Sequence, residues 1–544
     1  MAKKDDPEAK VKELEAQIKK NVIVVMFDSL QFNYLGCYGN PWIRTPNMDR
    51  LAREGVLFEN NYIDSLPTVP CRRSMHTGKF SLHYRGWSPL ELEDTTIADL
   101  CWGRPIDTAL VFDCPMYRLP KFGYTRGFDK VSFLHGHEGD QNFYLDDPLY
   151  HRDPMNFIEE HVMEAATRQL GKNTVNVFIK ELEAYLRHRQ YWRTEEDQNV
   201  VKVMKRAVKY LEEIDRNKQF FLWIDSFDPH EPWDPPSVYD ADLKCPYDPD
   251  YKGKDMFLPV DGVVNGVYTE PELNHIRMLY AEKVSMCDRW LGYLMDKVKE
   301  LGLEQNTLFL MVSDHGEPMG NGEHGHGIMR KCRPWPYEEL SHAPMIARGP
   351  GLPSGKRVKA FTQSQDVGAT VVDWLGIGVR PEMTGKSLIP LMKGEVEKVR
   401  DFIITGYHKF SAAIYTEDFS YFHWRKPTDK ANGVGVEFFT ENMAKALKSV
   451  GALERGKDVD AVVARLQNES ISSEEAEYKQ AATLDGEDMW TCTPGSVADV
   501  PEKDELYDHQ ADPFQLNDIA EKNPKKAREL FDTLRDFMAD ISVQ

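Results

Sequence analysis

Asn21-Val-Ile-Val-Val-Met-Phe27 is an unbroken apolar run that stops at Asp28-Ser29. Six apolar residues in succession, Val22 to Phe27, suit a strand buried on both faces of a parallel sheet. Two more runs have the same form. Phe220-Phe-Leu-Trp-Ile224 ends at Asp225, and Thr307-Leu-Phe-Leu-Met-Val312 ends at Ser313-Asp314-His315. Each follows a helical stretch, Val201 to Ile214 and Glu270 to Leu301. Helices alternating with buried strands predict an α/β fold with a mostly parallel central sheet. Polar residues gather just after each strand. Ligands of open α/β sheets bind beyond the carboxyl ends of the strands, so the three ends are expected to converge on one site.

Outward from these strands the chain divides into three. Residues 1–20 read as a polar helical extension. Residues 21–395 form the main domain, with a helical insertion at about 141–200 rich in Tyr, Arg, His and Glu. Residues 396–544 read as a smaller α+β subdomain. Its short strand candidates are Phe402 to Thr405, Ala412 to Tyr415 and Tyr421 to Trp424, followed by an acidic helical stretch at 438–485 and an amphipathic helix from Asn523 to Ile541.

The 544 residues are 41% hydrophobic, which supports a sizeable core. The net charge of -21 argues against nucleic acid and anionic membranes as partners. An anionic substrate would therefore need a local positive site of metal, Arg, Lys and His. The eight cysteines form no CxxC pair, so neither a disulfide framework nor a structural zinc site is indicated. The first residues hold no apolar signal core, and no run approaches the roughly 18 apolar residues of a spanning helix. A cytoplasmic location is the expectation.

Several residues could carry chemistry. Asp314 and His315 stand side by side at a strand end, where a carboxylate and an imidazole can share one divalent ion. Asp28 stands in the same position after the first strand. Taken singly, each also fits a hydrogen-bonded turn or a helix cap. In Thr68-Val-Pro-Cys-Arg72 a hydroxyl lies four residues before an arginine. A helix beginning near Pro70 would place that hydroxyl at its N-terminus, where backbone N–H groups favour an anion. A metal on the oxygen would make it a nucleophile, and Arg72 could clamp substrate oxygens. His230 follows the second strand and is a candidate acid or donor. Asn321-Gly-Glu-His-Gly-His-Gly327, followed by Lys331, offers two histidines and a lysine on a glycine-rich loop, which also suits plain solvated residues.

Together these segments resemble the sulfatase family, within the alkaline phosphatase superfamily. The resemblance spans about Asn21 to Ile541 and rests on motifs in one order: NVIVVMFDSL with GCYGN, RTPNMDRLAREGVLFENNY, TVPCRRSMHTGK, FFLWIDSFDPHEPWDPP, NTLFLMVSDHGEPMGNGEHGHG, SHAPMIARGPG and ELYDHQADPFQLND. It implies an alkaline-phosphatase-like fold and a metal held by Asp28, Asp314, His315 and the nucleophile oxygen. It further implies that Arg72 braces nucleophile and substrate, that His230 lies near the leaving group, and that His326 and Lys331 bind substrate.

Three departures from the family pattern shape the functional expectation. Aligning on Pro70 and Arg72 puts Thr68 where sulfatases carry the cysteine that becomes formylglycine. Cys71 has Met75 rather than arginine four residues on, so no formylglycine is expected. A threonine ester cannot collapse as a hemiacetal and must be hydrolysed by direct attack, which favours phosphorus over sulfur. Asp28-Ser29 replaces the usual pair of aspartates, resembling phosphonate monoester hydrolases; one carboxylate fewer favours Mn or Zn, with Ca also allowed. Ala109-Leu-Val-Phe-Asp113-Cys-Pro-Met-Tyr117 stands in place of the GKWHLG stretch, so Asp113 and Tyr117 are candidates to line the pocket. The expected function is metal-dependent hydrolysis of a phosphodiester or phosphonate monoester, a small anionic ester, through Thr68. The alternatives are a sulfuric ester hydrolase without formylglycine, a phosphoethanolamine-type transferase and a non-catalytic binding protein that keeps the fold. A homo-oligomer is compatible with the sequence.

Overall fold

The computed structural model describes residues 20–118, 122–137, 153–170, 172–189, 192–240, 242–320, 325–332, 334–424 and 501–541. The N-terminal extension (except Lys20), part of the helical insertion and the acidic stretch at 438–485 lie outside the described residues.

The central sheet has eight strands: β1 (Asn21–Phe27), β2 (Val56–Phe58), β3 (Ile106–Phe112), β4 (Lys130–Phe133), β5 (Gln219–Ser226), β6 (Thr307–Ser313), β7 (Met345–Arg348) and β8 (Lys356–Val358). Their spatial order is β8-β2-β7-β6-β1-β5-β3-β4. Strand β7 is antiparallel to β6 and β2, and the other pairings are parallel. The three runs read from the sequence are therefore neighbours, with Val25 of β1 opposite Ile224 of β5 and Met311 of β6. Every residue of β1 is buried. Ile23, Val25 and Phe27 join the core on one face, and Val22, Val24 and Met26 join the core on the other. Burial on both faces explains why the run carries no polar alternation.

Helices cover both faces. In chain order they include α1 (Pro46–Glu54), α2 (Thr68–Thr77), α3 (Asn199–Glu213), α4 (Glu270–Glu300), α5 (Gln365–Trp374) and α6 (Pro524–Ile541). Apolar residues of α3 and α4 pack on the first face, and those of α2 and α5 on the second. The insertion contributes helices Glu160–Leu170 and Lys172–His188 to the first face. The N-terminus of α1 is capped from a distance. Asp288 of α4 accepts hydrogen bonds from the Asn47 and Met48 backbone N–H groups at 3.0 and 2.7 Å, meeting two of the donors every helix start leaves open.

A second, antiparallel sheet is built from β9 (Ile403–Tyr407), β10 (Ser411–Tyr415), β11 (Phe419–Trp424) and β12 (Glu505–Asp508). One of its faces packs on α6 through Ile404, Ile414, Tyr421 and Leu506 against Leu530 and Leu534. Strand β12 goes beyond the sequence reading. It has four residues, and its two apolar side chains, Leu506 and Tyr507, enter different cores, so no one-face pattern marks it.

Candidate active site

The site grows from the carboxyl ends of β1, β5 and β6. Asp28 follows β1, Asp225 is the next-to-last residue of β5, and Asp314-His315 follow β6. All four are fully buried. The chain leaves β6 tightly against its neighbour: a Cβ on Gly316 would come 2.2 Å from the Glu339 carbonyl oxygen, so only glycine fits after His315. Ser29 N–H donates to Asp314 Oδ1 at 3.0 Å, joining the two strand ends.

Ligand atoms of Asp28, Asp314 and His315 lie within 4.8 Å of one another. Their chemistry fits a divalent ion. His315 Nδ1 donates to the Gly316 carbonyl at 2.7 Å, which leaves Nε2 as the lone-pair nitrogen. Nε2 lies 3.5 Å from Asp314 Oδ2 and 3.9 Å from Asp28 Oδ1. Burial, opposed by the Asp28 charge, holds the imidazole down at about 4, so it is neutral at pH 7. Burial and the neighbouring Asp314 push Asp28 up to about 7, the environment of a carboxylate short of positive charge.

Thr68 opens α2, and its hydroxyl donates to His315 Nε2 at 3.3 Å. Arg72, one turn further along the same helix face, is fully buried. Its Nε and Nη2 grip both oxygens of Asp225 at 3.0 and 2.8 Å, Nη1 reaches Asp314 Oδ2 at 2.5 Å, and Nη2 lies 3.0 Å from Asp28 Oδ2. Burial alone would weaken this charge, but Asp225 and the other carboxylates raise it well above the ordinary range. Arg72 is therefore a permanent cation between three carboxylates.

A cavity opens beside Thr68. His230, Glu231, Asp261, Arg330 and Lys331 form its polar wall, and Trp87, Met116, Phe227 and Cys332 its apolar wall. Lys331 Nζ and Arg330 Nε both donate to Glu231 Oε1, at 2.8 and 2.6 Å. Arg330 holds φ 64°, a left-handed conformation that costs an L-residue about 1–2 kcal/mol. His230 Nδ1 donates to the Glu231 carbonyl at 2.5 Å, and its ring stacks on Phe227 at 3.9 Å. Burial drives His230 well below its ordinary value, so it is neutral with Nε2 unprotonated.

The structure thus brings Asp28, Thr68, Arg72, Asp314 and His315 into one cluster, with His230 and Lys331 on the cavity wall. Three other candidates lie elsewhere. His326 bridges Glu339 Oε1 at 3.2 Å and the Gln515 carbonyl at 2.9 Å and stacks on Tyr337. Tyr117 places its ring 5.5 Å from the Arg72 guanidinium, and its hydroxyl meets His76 Nε2 at 2.7 Å. Asp113 accepts the Phe227 N–H at 2.7 Å, behind the loop that carries His230. Sequence reasoning passed over Asp225 and Glu231 as partners. Asp225 had a visible signal, a carboxylate ending a buried strand; Glu231 had none.

The family profile named Sulfatase matches residues 20–377. An arylsulfatase of Clostridium perfringens is 27% identical over 423 residues, covering 72% of this chain and 82% of that protein. The multifunctional alkaline phosphatase superfamily protein PehA of Trinickia caryophylli is 24% identical, covering 69% of this chain and 77% of that protein. A phosphonate monoester hydrolase of Agrobacterium radiobacter shares the fold, with a TM-score of 0.62 at 18% identity and 96% of both chains covered. From the strand-end cluster, the Thr68–Arg72 helix start and a family match over most of its length, the chain belongs to the sulfatase family of the alkaline phosphatase superfamily, hydrolases of ester bonds.

Proposed function

We propose that the chain hydrolyses a phosphodiester or phosphonate monoester with Thr68 as the nucleophile. The observation that carries this reading is the Thr68 hydroxyl, at the start of α2, 3.3 Å from a lone-pair nitrogen of the metal-ligand cluster. Asp28, Asp314, His315 and Thr68 would hold a divalent ion, with Mn or Zn favoured, which would supply Lewis acidity at the Thr68 hydroxyl. Thr68 passes its proton to His230 Nε2 as its oxygen bonds to phosphorus, and the leaving-group oxygen departs with the proton that the imidazolium hands on. The α2 N-terminus and Lys331 offset the charge on the phosphoryl oxygens. Arg72 keeps Asp28, Asp225 and Asp314 in place. Water then attacks phosphorus, His230 Nε2 takes one of its protons, and the Thr68–phosphorus bond breaks as the imidazolium gives that proton to the Thr68 oxygen. The apolar wall suits an aryl or other apolar leaving group.

Sulfuric ester hydrolysis through Thr68 is the second reading, favoured by the arylsulfatase relative. A panel of bis(p-nitrophenyl) phosphate, p-nitrophenyl phenylphosphonate and p-nitrophenyl sulfate, each with added Mn, Zn or Ca, separates the two. Robust sulfate turnover with none on the phosphorus esters would sink the first.

A further inference from the structure

Behind the loop that carries His230 lies a second buried cluster. His137 Nε2 is 3.2 Å from Asp113 Oδ2 and 3.7 Å from Asp228 Oδ1, and all three side chains are fully buried. Lys283 of α4 places Nζ 2.5 Å from Asp228 Oδ1 and 3.3 Å from Asp234 Oδ1. Asp234 also pairs with Arg189, which donates to the Gly136 carbonyl next to His137. Asp113 comes from the end of β3, His137 from the segment after β4, and Asp228 and Asp234 from the segment after β5.

The donor atoms of Asp113, His137 and Asp228 lie close enough to ligate a metal. Charge balance points elsewhere. Three carboxylates face Lys283 and Arg189, so one positive charge completes the set. A proton on His137 supplies it. A divalent ion on a neutral His137 would leave a buried excess of one positive charge and would compete with the Lys283 ammonium for Asp228. The other titratable groups facing the cluster do not change this count. Cys287 of α4 has its thiol pushed up by burial and stays neutral; Lys202 of α3 also faces Asp113 and Asp228, but its part-exposed ammonium is screened by water and adds no buried charge.

We propose that His137 is an imidazolium clamped between Asp113 and Asp228, and that this six-member charge network is the device that positions His230 at the cavity wall. The connection runs through Phe227. Asp113 Oδ1 accepts its backbone N–H, and its ring packs edge-on to His137 at 5.1 Å while stacking on His230 at 3.9 Å. Asp228, two residues before His230, is pinned from the other side by the Val200 N–H at 2.9 Å. Burial works against a charge on His137, but the two flanking carboxylates outweigh it and raise its proton affinity above that of a free imidazole. His137 is thus a positioning residue, and its link to catalysis rests on the role assigned to His230.

The test uses the full chain labelled with ¹³C at histidine Cε1, with His137 assigned by its disappearance in His137→Gln. At about pH 8, where a free histidine is neutral, the His137 resonance is expected at the imidazolium position. A neutral shift at that pH overturns the proposal, as does a second bound equivalent of Mn or Zn that His137→Gln abolishes. Hydrogen exchange read by mass spectrometry over residues 226–232 should speed about tenfold or more in His137→Gln; unchanged exchange overturns the positioning role. In kinetics, His137→Gln should lower kcat with KM held, and more for poor leaving groups, as His230→Ala does. If His230→Ala itself shows no dependence on the leaving group, the His230 reading fails, while resonance and exchange still decide the clamp. Should His137→Gln fail to fold, Asp113→Asn supplies the same measurement. Its His137 resonance should titrate at least about one pH unit lower than in the parent, and an unmoved titration overturns the clamp.

Discussion

Replacing Arg72 with methionine tests the core of the site. The side chain is fully buried and serves Asp28, Asp225 and Asp314 together. Methionine fills much of the volume but leaves three buried carboxylates without a cation. Removing one partner of a buried ion pair costs about 3–5 kcal/mol, a large share of the roughly 5–15 kcal/mol that holds a protein folded. The variant should therefore lose about that much in urea unfolding with EDTA present. Divalent ion changes the balance, because a metal on Asp28 and Asp314 returns counter-charge to two of the three and leaves Asp225 alone exposed to the loss. The deficit should accordingly shrink in saturating Mn, although turnover stays down by about 10–100-fold, as for loss of a residue that orients metal ligands. Arg72→Lys keeps the charge but not the two-pronged grip on Asp225, and should recover most of the stability and little of the activity. The assay is a urea titration read by tryptophan fluorescence, with and without Mn, beside turnover of the phosphorus esters. An Arg72→Met protein that unfolds in EDTA like the parent, or that keeps activity within tenfold in Mn, would refute the reasoning.

Three further outcomes are expected. Thr68→Ala should abolish turnover while leaving the melting curve unchanged, because the residue is a small side chain at a helix start; near-normal turnover would show that the nucleophile is misassigned. Removing metal with a chelator should lower both activity and thermal stability, with recovery on adding Mn or Zn; a stability unchanged by the chelator would count against the Asp28–Asp314–His315 site. Burial pushes Glu282 of α4 up to about 7 from an ordinary 4.5. Because its folded value is the higher one, its contribution is present below pH 4.5 and is lost as pH rises through 7, by about 3 kcal/mol at about 1.4 kcal/mol per unit. Glu282→Gln should flatten the fall in stability between pH 5 and 8, and a parallel fall in both proteins would contradict the assignment.

The central sheet was legible because β1, β5 and β6 are buried on both faces, which leaves unbroken apolar runs that end abruptly in polar residues. The cluster at their ends was legible for the same reason: in a parallel sheet, adjacent strands bring their carboxyl ends together. What the sequence could not convey were contacts between segments with no shared pattern. His326 sits a few residues from Lys331, but its ring is drawn to Glu339, Gln515 and Tyr337 and not to the cavity. Asp113 was a pocket candidate because its stretch stands in place of the family's GKWHLG segment, and its carboxylate instead turns to a backbone N–H and to His137. Glu231, beside His230, gathers Arg330 and Lys331 from a loop about a hundred residues away, a pairing no local spacing encodes.

The bond from Ser29 N–H to Asp314 Oδ1 joins residues 285 positions apart in the chain. Asp28 and Thr68 are synthesised early, but Asp314 and His315 only after more than half of the polypeptide has been made. No shorter nascent chain holds the complete ligand set, so an ion bound there would be captured only after β6 closes onto β1. Thr68, as the proposed nucleophile, would need no covalent maturation before that moment. For this protein, acquisition of activity would then be governed by sheet closure and by the supply of free metal, and a ribosome-released fragment ending before residue 314 would be inert however well its first strands had collapsed.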